Sequence, residues 1–208
     1  MATIKKKSLD LSTEQKIKKA ALKLFTQKGF SATRTRDISD EAGINLALLN
    51  YYFRSKENLF QLVMAEILQK FFSGIIEIFN DEATSLDEKV NSFVARYTAL
   101  LKEQPELPLF IFHELRMHPQ KLASKIGLSK VFNSFFFKQL SAEMDRKKIA
   151  PIHPLHYVLN MIGMCVFPFI AAPLLKHIAG VDARTFETIV DERKVLVPKW
   201  MKSILNTK

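Results

Sequence analysis

Apolar residues recur along this chain with the period of an α-helix and not with the alternation of a β-strand. The clearest case is one helical face repeated at intervals of three and four residues, formed by Ile17, Ala20, Ala21, Leu24 and Phe25. Ser12 and Gln15 have the spacing of a capping box, which satisfies free N–H groups at a helix start. Gly29 suits the left-handed residue that ends many helices. The pattern predicts a first helix over residues 12–29.

Two short helices separated by a tight turn follow. Thr35 is predicted to cap the second helix, with Asp37 in its first turn and Gly43 at its end. Asn45 is predicted to cap a third helix over Leu46–Phe53. This arrangement is typical of a helix-turn-helix, whose second helix enters the major groove of DNA. The spacing places five residues on the outward face of the third helix: Asn45, Leu46, Ala47, Asn50 and Tyr51.

Prolines, a glycine and polar breaks divide the rest of the chain into longer helices. These are predicted over residues 56–80, 87–103, 107–116, 120–147, 154–178 and 182–206. Phe135, Phe136 and Phe137 would cover about 200° of one helix, which is therefore expected to be buried on most sides. The predicted fold class is all-α with about nine helices. A three-helix DNA-binding domain over residues 1–56 would precede a helical domain over residues 57–208.

The composition supports this fold class and indicates the cellular compartment. Of 208 residues only 6 are glycine and 8 are proline, too few for the frequent turns of an all-β chain. Cys165 is the only cysteine, which excludes an internal disulfide and a four-thiolate zinc site. No apolar run follows the lysines at positions 5–7, so no signal peptide is expected. A cytoplasmic location is the expectation.

The net charge of +10 is unevenly distributed along the chain. Residues 1–56 hold 12 Lys and Arg against 5 Asp and Glu, whereas residues 57–208 hold 19 against 16. Charge alone fits either a solvated basic face or a module that faces a polyanion. Because the excess coincides with the predicted helix-turn-helix, double-stranded DNA is the expected partner.

Fixed positions spread over about fifty residues of this module carry a family resemblance. They are Gly29, Phe30, Thr33, Thr35, Ile38, Ala42, Gly43, Ile44, Leu49, Tyr51, Tyr52, Phe53, Ser55, Lys56, Glu57 and Leu59. In this pattern the chain resembles the N-terminal signature of the tetracycline-repressor-like (TetR) family of transcriptional regulators. The resemblance implies a homodimer on a palindromic operator, most often a repressor that a small molecule releases.

The resemblance also implies roles for single residues. Thr35 and Lys56 would contact phosphate, and Asn45, Leu46, Ala47, Asn50 and Tyr51 would lie along the major groove. Leu46 and Asn50 depart from the commoner family residues; Leu46 could touch a thymine methyl group and Asn50 could bind adenine through two hydrogen bonds. Arg34 and Arg36 fit either phosphate contact or simple solvation. The lysines at positions 5–7 fit either a mobile tail or an arm on the phosphates or minor groove.

The C-terminal part is rich in phenylalanine, which fits either ordinary core packing or an apolar ligand cavity. Of the 17 phenylalanines, 14 follow residue 57. A helical interior rich in Phe and Met is suitable for an apolar effector. The candidate lining residues are Phe93, Tyr97, Phe110, His113, Phe132, Phe136, Met161 and Met164.

The segment 149–175 contains no Asp, Glu, Lys or Arg. A membrane span is disfavoured because several prolines and two histidines interrupt the segment. A helix apolar on all sides instead favours packing against a second subunit, and the resemblance implies a dimer interface over residues 154–206. His153 and His156 lack the further ligands of a metal site, and no cofactor is expected. No catalytic motif supports an enzyme; a helical adaptor protein is the other alternative.

Overall fold

The computed structural model describes residues 2–146 and 153–205, with side chains from Thr13 onward. Within these ranges every regular element is an α-helix, which confirms the predicted fold class. The chain forms two compact units, over residues 1–68 and 69–208. Residues 147 and 206, the predicted ends of two helices, lie outside the described residues.

Unit 1 contains α1 (Ala2–Ala32), α2 (Thr35–Ala42), α3 (Leu46–Phe53) and the beginning of α4 (Lys56–Asn80). The short helices α2 and α3 need α1 because their small apolar faces close a core only together with it. This core consists of fully buried side chains that include Ile17, Ala21, Phe25, Ile38, Leu49 and Phe53.

The first helix differs from its prediction at both ends. It begins at Ala2, so Ser12 lies within the helix and the predicted capping box there is wrong. The backbone at positions 5–7 is helical, and the lysine side chains at those positions lie outside the described part of the chain. Gly29 interrupts the helix with φ 77° and ψ 164°, a conformation that glycine alone adopts readily, and one further turn follows.

The boundary between the units lies twelve residues after the predicted position, at 68/69 instead of 56/57. The physical reason is that the first turns of α4 complete the core of unit 1. Phe60 packs against Phe25 and Phe30, with ring centroids 5.1 and 4.7 Å apart. Lys18 pairs with Glu66 at 2.6 Å. Residues 56–68 of α4 therefore belong to the three-helix unit.

Unit 2 contains the end of α4 and seven further helices. They are α5 (Leu86–Glu103), α6 (Leu107–Met117), α7 (Pro119–Lys125), α8 (Leu128–Phe132), α9 (Phe135–Arg146), α10 (Pro154–Ile178) and α11 (Ala183–Ile204). The described residues thus hold eleven helices instead of nine, because the segment predicted as one helix over 120–147 is divided in three. Gly127, at φ 65°, makes the first of these breaks.

An aromatic cluster forms the centre of unit 2. The rings of Phe79 and Phe136 stack with centroids 4.3 Å apart, and Phe93 lies 6.0 Å from Phe79 and 5.4 Å from Tyr97. Of the three consecutive phenylalanines in α9 only Phe136 is fully buried, and its helix buries a single face. The expectation of a helix buried on most sides is wrong, because the phenylalanines occupy only its first turn.

Lys89 is fully buried beside the loop that joins α4 to α5. Its ammonium group donates to the carbonyl oxygens of Asp81 (2.5 Å) and Thr84 (2.6 Å) and to the Thr84 hydroxyl (2.8 Å). Burial lowers the pKa of Lys89, because desolvation disfavours its charged form. The lysine closes the loop by satisfying carbonyls that the helices leave free.

Helix α10 contains two internal prolines, Pro168 and Pro173. A proline has no N–H group, so the carbonyl four residues earlier loses its helical partner. For Pro168 that carbonyl belongs to Met164, and Arg193 of α11 donates to it through Nε (3.1 Å) and Nη2 (2.8 Å). Among the described helices α10 alone is long and apolar enough to suit a membrane span, on length and composition only.

Candidate nucleic-acid interface

The start of α2 presents two exposed arginines next to free helix N–H groups. Arg34 occupies the N-cap position, so the prediction of Thr35 as the cap is wrong by one residue; Thr35 is the first helical residue and is half-buried. The Asp37 carboxylate accepts a hydrogen bond from the Arg34 backbone N–H at 3.3 Å. Neither Arg34 nor Arg36 has an ion pair among the residues described. Two cations at a helix N-terminus are suitable for phosphate contact.

The turn between α2 and α3 is fixed by a glycine and an asparagine. Gly43 adopts φ 65° and ψ 38°, the left-handed conformation of a helix C-cap, and its N–H donates to the Asp40 carbonyl at 3.1 Å. Asn45 Oδ1 accepts a hydrogen bond from the N–H of Leu48 at 2.8 Å, which confirms the predicted cap. The side-chain oxygen of Asn45 is therefore engaged, and its amide nitrogen remains as a donor.

Helix α3 projects most of its predicted outward residues into solvent. Asn45, Ala47 and Asn50 are exposed, and Tyr51 is 79% exposed. The exception is Leu46, which is half-buried; its prediction as an outward residue is therefore only partly correct. The core side of the helix keeps Leu49 and Phe53 buried, so the exposed residues form one continuous face.

Lys56 has a position that the resemblance did not indicate. Its Nζ donates to the carbonyl oxygens of Phe30 and Thr33, each at 3.0 Å, and lies 4.3 Å from the centroid of the Phe30 ring. Thr33 in turn donates its hydroxyl to the Gly29 carbonyl at 2.7 Å. Lys56 thus ties the start of α4 to the junction of α1 and α2, and only one of its three N–H bonds is left for a phosphate.

Arg54 follows α3 and has a strained backbone conformation that the sequence analysis did not predict. It is the only described residue other than glycine with a positive φ, at 62° with ψ −43°. The Ser55 N–H donates to the Phe53 carbonyl at 2.6 Å across it, as in a classic γ-turn. Holding a residue with a side chain in this sparsely populated conformation costs about 1–3 kcal/mol. The tight turn directs the chain from α3 into α4.

Several acidic side chains of unit 1 are already paired with lysines. Lys23 contacts Glu41 at 2.6 Å, and Lys28 contacts Asp37 at 3.5 Å. The arginines at positions 34, 36 and 54 have no carboxylate partner within the described residues. Arginines without an ion pair therefore lie at the start of α2 and at the end of α3, on either side of the exposed face.

The predicted ligand-lining residues separate into three groups. Phe93, Tyr97, Phe110, Phe136 and Met161 are buried, Met164 is half-buried, and His113 and Phe132 are exposed. Within this set the rings of Phe93 and Tyr97 contact each other, and Phe136 stacks on Phe79 of the aromatic cluster. The side chains around Pro168 leave no space for a water molecule; they are those of Thr98, Cys165, Pro168, Phe169, Val190, Arg193 and Val197. A role of the predicted set in ligand binding stays a prediction.

Known proteins resemble this chain in sequence and fold. Residues 17–63 match the family model of bacterial regulatory proteins of the tetR family. The HTH-type transcriptional regulator YttP of Bacillus subtilis is 21% identical over 208 residues, 96% of this chain and 97% of that protein. A solved TetR-family regulator from Mesorhizobium loti aligns with a TM-score of 0.64 and 20% identity, over 95% and 96% of the two chains. FadR from Bacillus subtilis, solved with stearoyl-CoA, aligns with a TM-score of 0.54 and 17% identity, over 92% and 95%.

Proposed function

We propose that this chain, a member of the TetR family of transcriptional regulators, is a cytoplasmic homodimeric repressor that a largely apolar effector releases from a palindromic operator. The observation that carries the proposal is the exposed face of α3, positioned by the Asn45 cap and flanked by unpaired arginines. No catalytic role is proposed for any residue.

The side chains on this face suit the edges of base pairs. Asn50 is exposed and can bind adenine through two hydrogen bonds, and the exposed Tyr51 ring can contact bases or the sugar-phosphate wall. Arg34 and Arg36 would bind phosphates and so fix the position of α3 in the major groove. One such helix reads only a few base pairs, which is why a second subunit and a second half-site belong to the proposal.

Helix α10 supports self-association because it leaves a long apolar stripe exposed. Its members recur mostly at intervals of three or four residues: Leu155, Leu159, Phe167, Ile170, Leu174 and Ile178. On α11, Leu196 and Trp200 are also partly exposed. Soluble proteins rarely leave continuous apolar surface of this extent without a partner. A two-fold pairing of α10 and α11 would cover it with the same surface of a second copy.

The effector would act through unit 2, where the apolar residues concentrate. FadR with stearoyl-CoA shows that a chain of this fold can hold an acyl ligand. Helix α4 belongs to both units, with residues 56–68 in one and 69–80 in the other. A ligand that favours a different position of α4 would change the spacing of the two α3 helices. Typical coupling of this kind is about 1–3 kcal/mol, or roughly 5–150-fold in operator affinity.

The test begins with operator selection from a random duplex library by the wild-type chain. We expect two inverted half-sites about one helical turn apart, roughly 34–36 Å, or a multiple of it, bound in a salt-dependent manner. Fluorescence anisotropy then compares the selected duplex with a scrambled duplex of equal length and composition. Equal affinity for both duplexes would contradict sequence-specific regulation and favour a helical adaptor instead.

A further inference from the structure

Unit 2 contains a groove between α5 and α11 that is separate from the aromatic cluster. Its volume is about 250 Å³, somewhat below the range of roughly 300–1,000 Å³ that is usual for sites of drug-sized ligands. The lining residues are Asp87, Val90, Asn91, Lys194, Val195, Pro198, Lys199 and Lys202. The groove is therefore suitable for a small metabolite.

The charges around the groove are strongly biased towards the positive sign. Three lysines line it against one carboxylate, that of Asp87, which Lys202 already contacts at 2.5 Å. Asp191 forms ion pairs with Lys194 at 2.8 Å and with Lys102 at 3.2 Å. Lys199 is exposed and has no ion pair within the part of the chain that the structure describes. An anion in the groove would meet several ammonium groups and no free carboxylate.

Ion pairs restrain two of the three lysines that line the groove. Lys202 pairs with Asp87 in the first turn of α5, and Lys194 pairs with Asp191 on its own helix. Lysines that are already restrained lose less conformational entropy when an anion binds than freely moving ones do. The groove is thus partly organised for an anion before the anion arrives.

The groove also contains hydrogen-bond acceptors and apolar lining residues. The Asn91 amide nitrogen donates to the Asp87 carbonyl at 2.8 Å, which leaves its side-chain oxygen available. Pro198 lies within α11 and cannot donate to the carbonyl of Lys194, four residues earlier. The carbonyl that Pro168 leaves free, that of Met164, accepts hydrogen bonds from Arg193. No side chain among the described residues donates a hydrogen bond to the Lys194 carbonyl. Val90, Val195 and Pro198 supply the apolar surface.

We propose that this groove binds a small phosphate monoester whose body carries a hydroxyl or amino group and a ring or short apolar part. The phosphate would lie among Lys194, Lys199 and Lys202. Its polar substituent would donate to Asn91 or to the Lys194 carbonyl, and its ring would cover Val195 and Pro198. The lysines are solvent-exposed, so the affinity is modest, with a Kd of about 0.1–1 mM at low salt.

The experiment measures binding to the full chain by isothermal titration calorimetry in the absence of DNA. Adenosine monophosphate, inorganic phosphate and adenosine serve as the probes. We expect adenosine monophosphate to bind most tightly, inorganic phosphate more weakly and uncharged adenosine not at all below about 10 mM. Trp200, the only tryptophan and the neighbour of Lys199, provides fluorescence as a second readout.

Two charge reversals separate the groove from the general basic character of the chain. Lys199→Glu should weaken binding of adenosine monophosphate by at least about tenfold, because a cation in contact with the phosphate becomes an anion. Lys130→Glu, at an exposed position on α8, makes the same change in net charge and should leave binding within about twofold. Thermal unfolding of both variants checks that the chain is folded.

Equal losses in the two variants, or no binding of adenosine monophosphate by the wild-type chain, would overturn the proposal. If Lys199→Glu unfolds the chain, Lys199→Met replaces it, with an expected loss of about threefold to tenfold and the same interpretation. None of these measurements uses an operator. The groove can therefore fail while the DNA-binding proposal stands, and the reverse is equally possible.

Discussion

The guanidinium group of Arg193 binds the carbonyl oxygen of Met164, the acceptor that Pro168 deprives of its helical donor. Its Cζ atom also lies 5.2 Å from the Trp200 ring centroid. A carbonyl that a proline leaves free in one helix is thus satisfied by a charged side chain of the neighbouring helix. Because the bond exists only to replace a missing N–H group, the two residues Pro168 and Arg193 should be thermodynamically coupled.

A double-mutant cycle measures this coupling. Arg193→Ala alone should lower the free energy of unfolding by about 1–3 kcal/mol, because it leaves a half-buried carbonyl without a donor. In the Pro168→Ala background the new backbone N–H can bind Met164, so the same substitution should cost at least about 1 kcal/mol less. Urea denaturation followed by circular dichroism gives the four values. Equal costs in both backgrounds would show that Arg193 acts through packing alone.

Lys56 should contribute more to folding than to the salt dependence of DNA binding. Lys56→Met keeps most of the side-chain length but removes two hydrogen bonds to carbonyls, and should cost about 1–3 kcal/mol of stability. If Lys56 mainly positions the helices, operator binding weakens while the slope of log K against log salt stays close to the wild-type value. The matched variant Arg36→Met should lower that slope by about one and leave stability nearly unchanged. If Lys56→Met instead lowers the salt slope by about one and leaves stability unchanged, Lys56 has the phosphate-binding role that the resemblance implies.

Asn50 and Tyr51 should determine which sequence is bound. Both are exposed on α3 and neither supports the core, so Asn50→Ala and Tyr51→Ala should unfold at nearly the wild-type temperature. For Asn50→Ala, loss of a two-bond contact to a base costs about 1–3 kcal/mol, which is roughly 5–150-fold in affinity for the selected operator. Anisotropy titrations with operators changed at single positions provide the measurement. If the wild-type chain and the two variants rank the operators in the same order of affinity, the proposed base contacts are incorrect.

The exposed stripe of α10 should be required for dimer formation. Phe167 is 66% exposed, so Phe167→Glu should be tolerated by the isolated fold but should place a buried, unpaired charge in a dimer. Sedimentation velocity should then show monomers, or aggregates, at concentrations where the wild-type chain is dimeric. Phe112→Glu on α6, at a similarly exposed phenylalanine, is the control and should remain dimeric. A monomeric wild-type chain at micromolar concentration would contradict the dimer itself.

Cys165 should react slowly with alkylating reagents while the chain is folded. Burial raises the pKa of its thiol to about 12, because desolvation disfavours the thiolate. At pH 8 the reactive thiolate is therefore a minute fraction in the folded chain, whereas an unfolded thiol with a pKa of about 8.5 is substantially ionised. Iodoacetamide labelling at pH 8 followed by mass spectrometry should be slow in buffer and fast in urea. Rapid labelling of the native chain at pH 8 would show that α10 opens.

Local signals predicted the parts of this chain that depend on neighbouring residues. The proline at position 154 and the glycine at position 180 gave α10 its observed limits, and Asn45 was identified as a cap because a cap acts three residues away. The face of α3 followed from helical spacing for the same reason. Such features lie within one or two turns of the residues that cause them.

Features that join distant parts of the chain could not be predicted in this way. Lys56 binds carbonyls 23 and 26 residues earlier, and Arg193 binds one 29 residues earlier; nothing in the sequence marks these partners. The break between α7 and α8 depends on the left-handed conformation of Gly127, which an apolar pattern does not register. The positive φ of Arg54 is a product of the same tertiary constraints.

The burial of the single cysteine has a practical consequence for spectroscopy. A spin label attached through a new thiol at Ala47, which is exposed on α3, would not compete with Cys165 for the reagent under native conditions. The labelled chain needs no prior removal of its natural cysteine from α10. Pulsed electron resonance on such a sample would report the separation of two α3 helices directly, with and without an effector, as a distribution of distances in frozen solution.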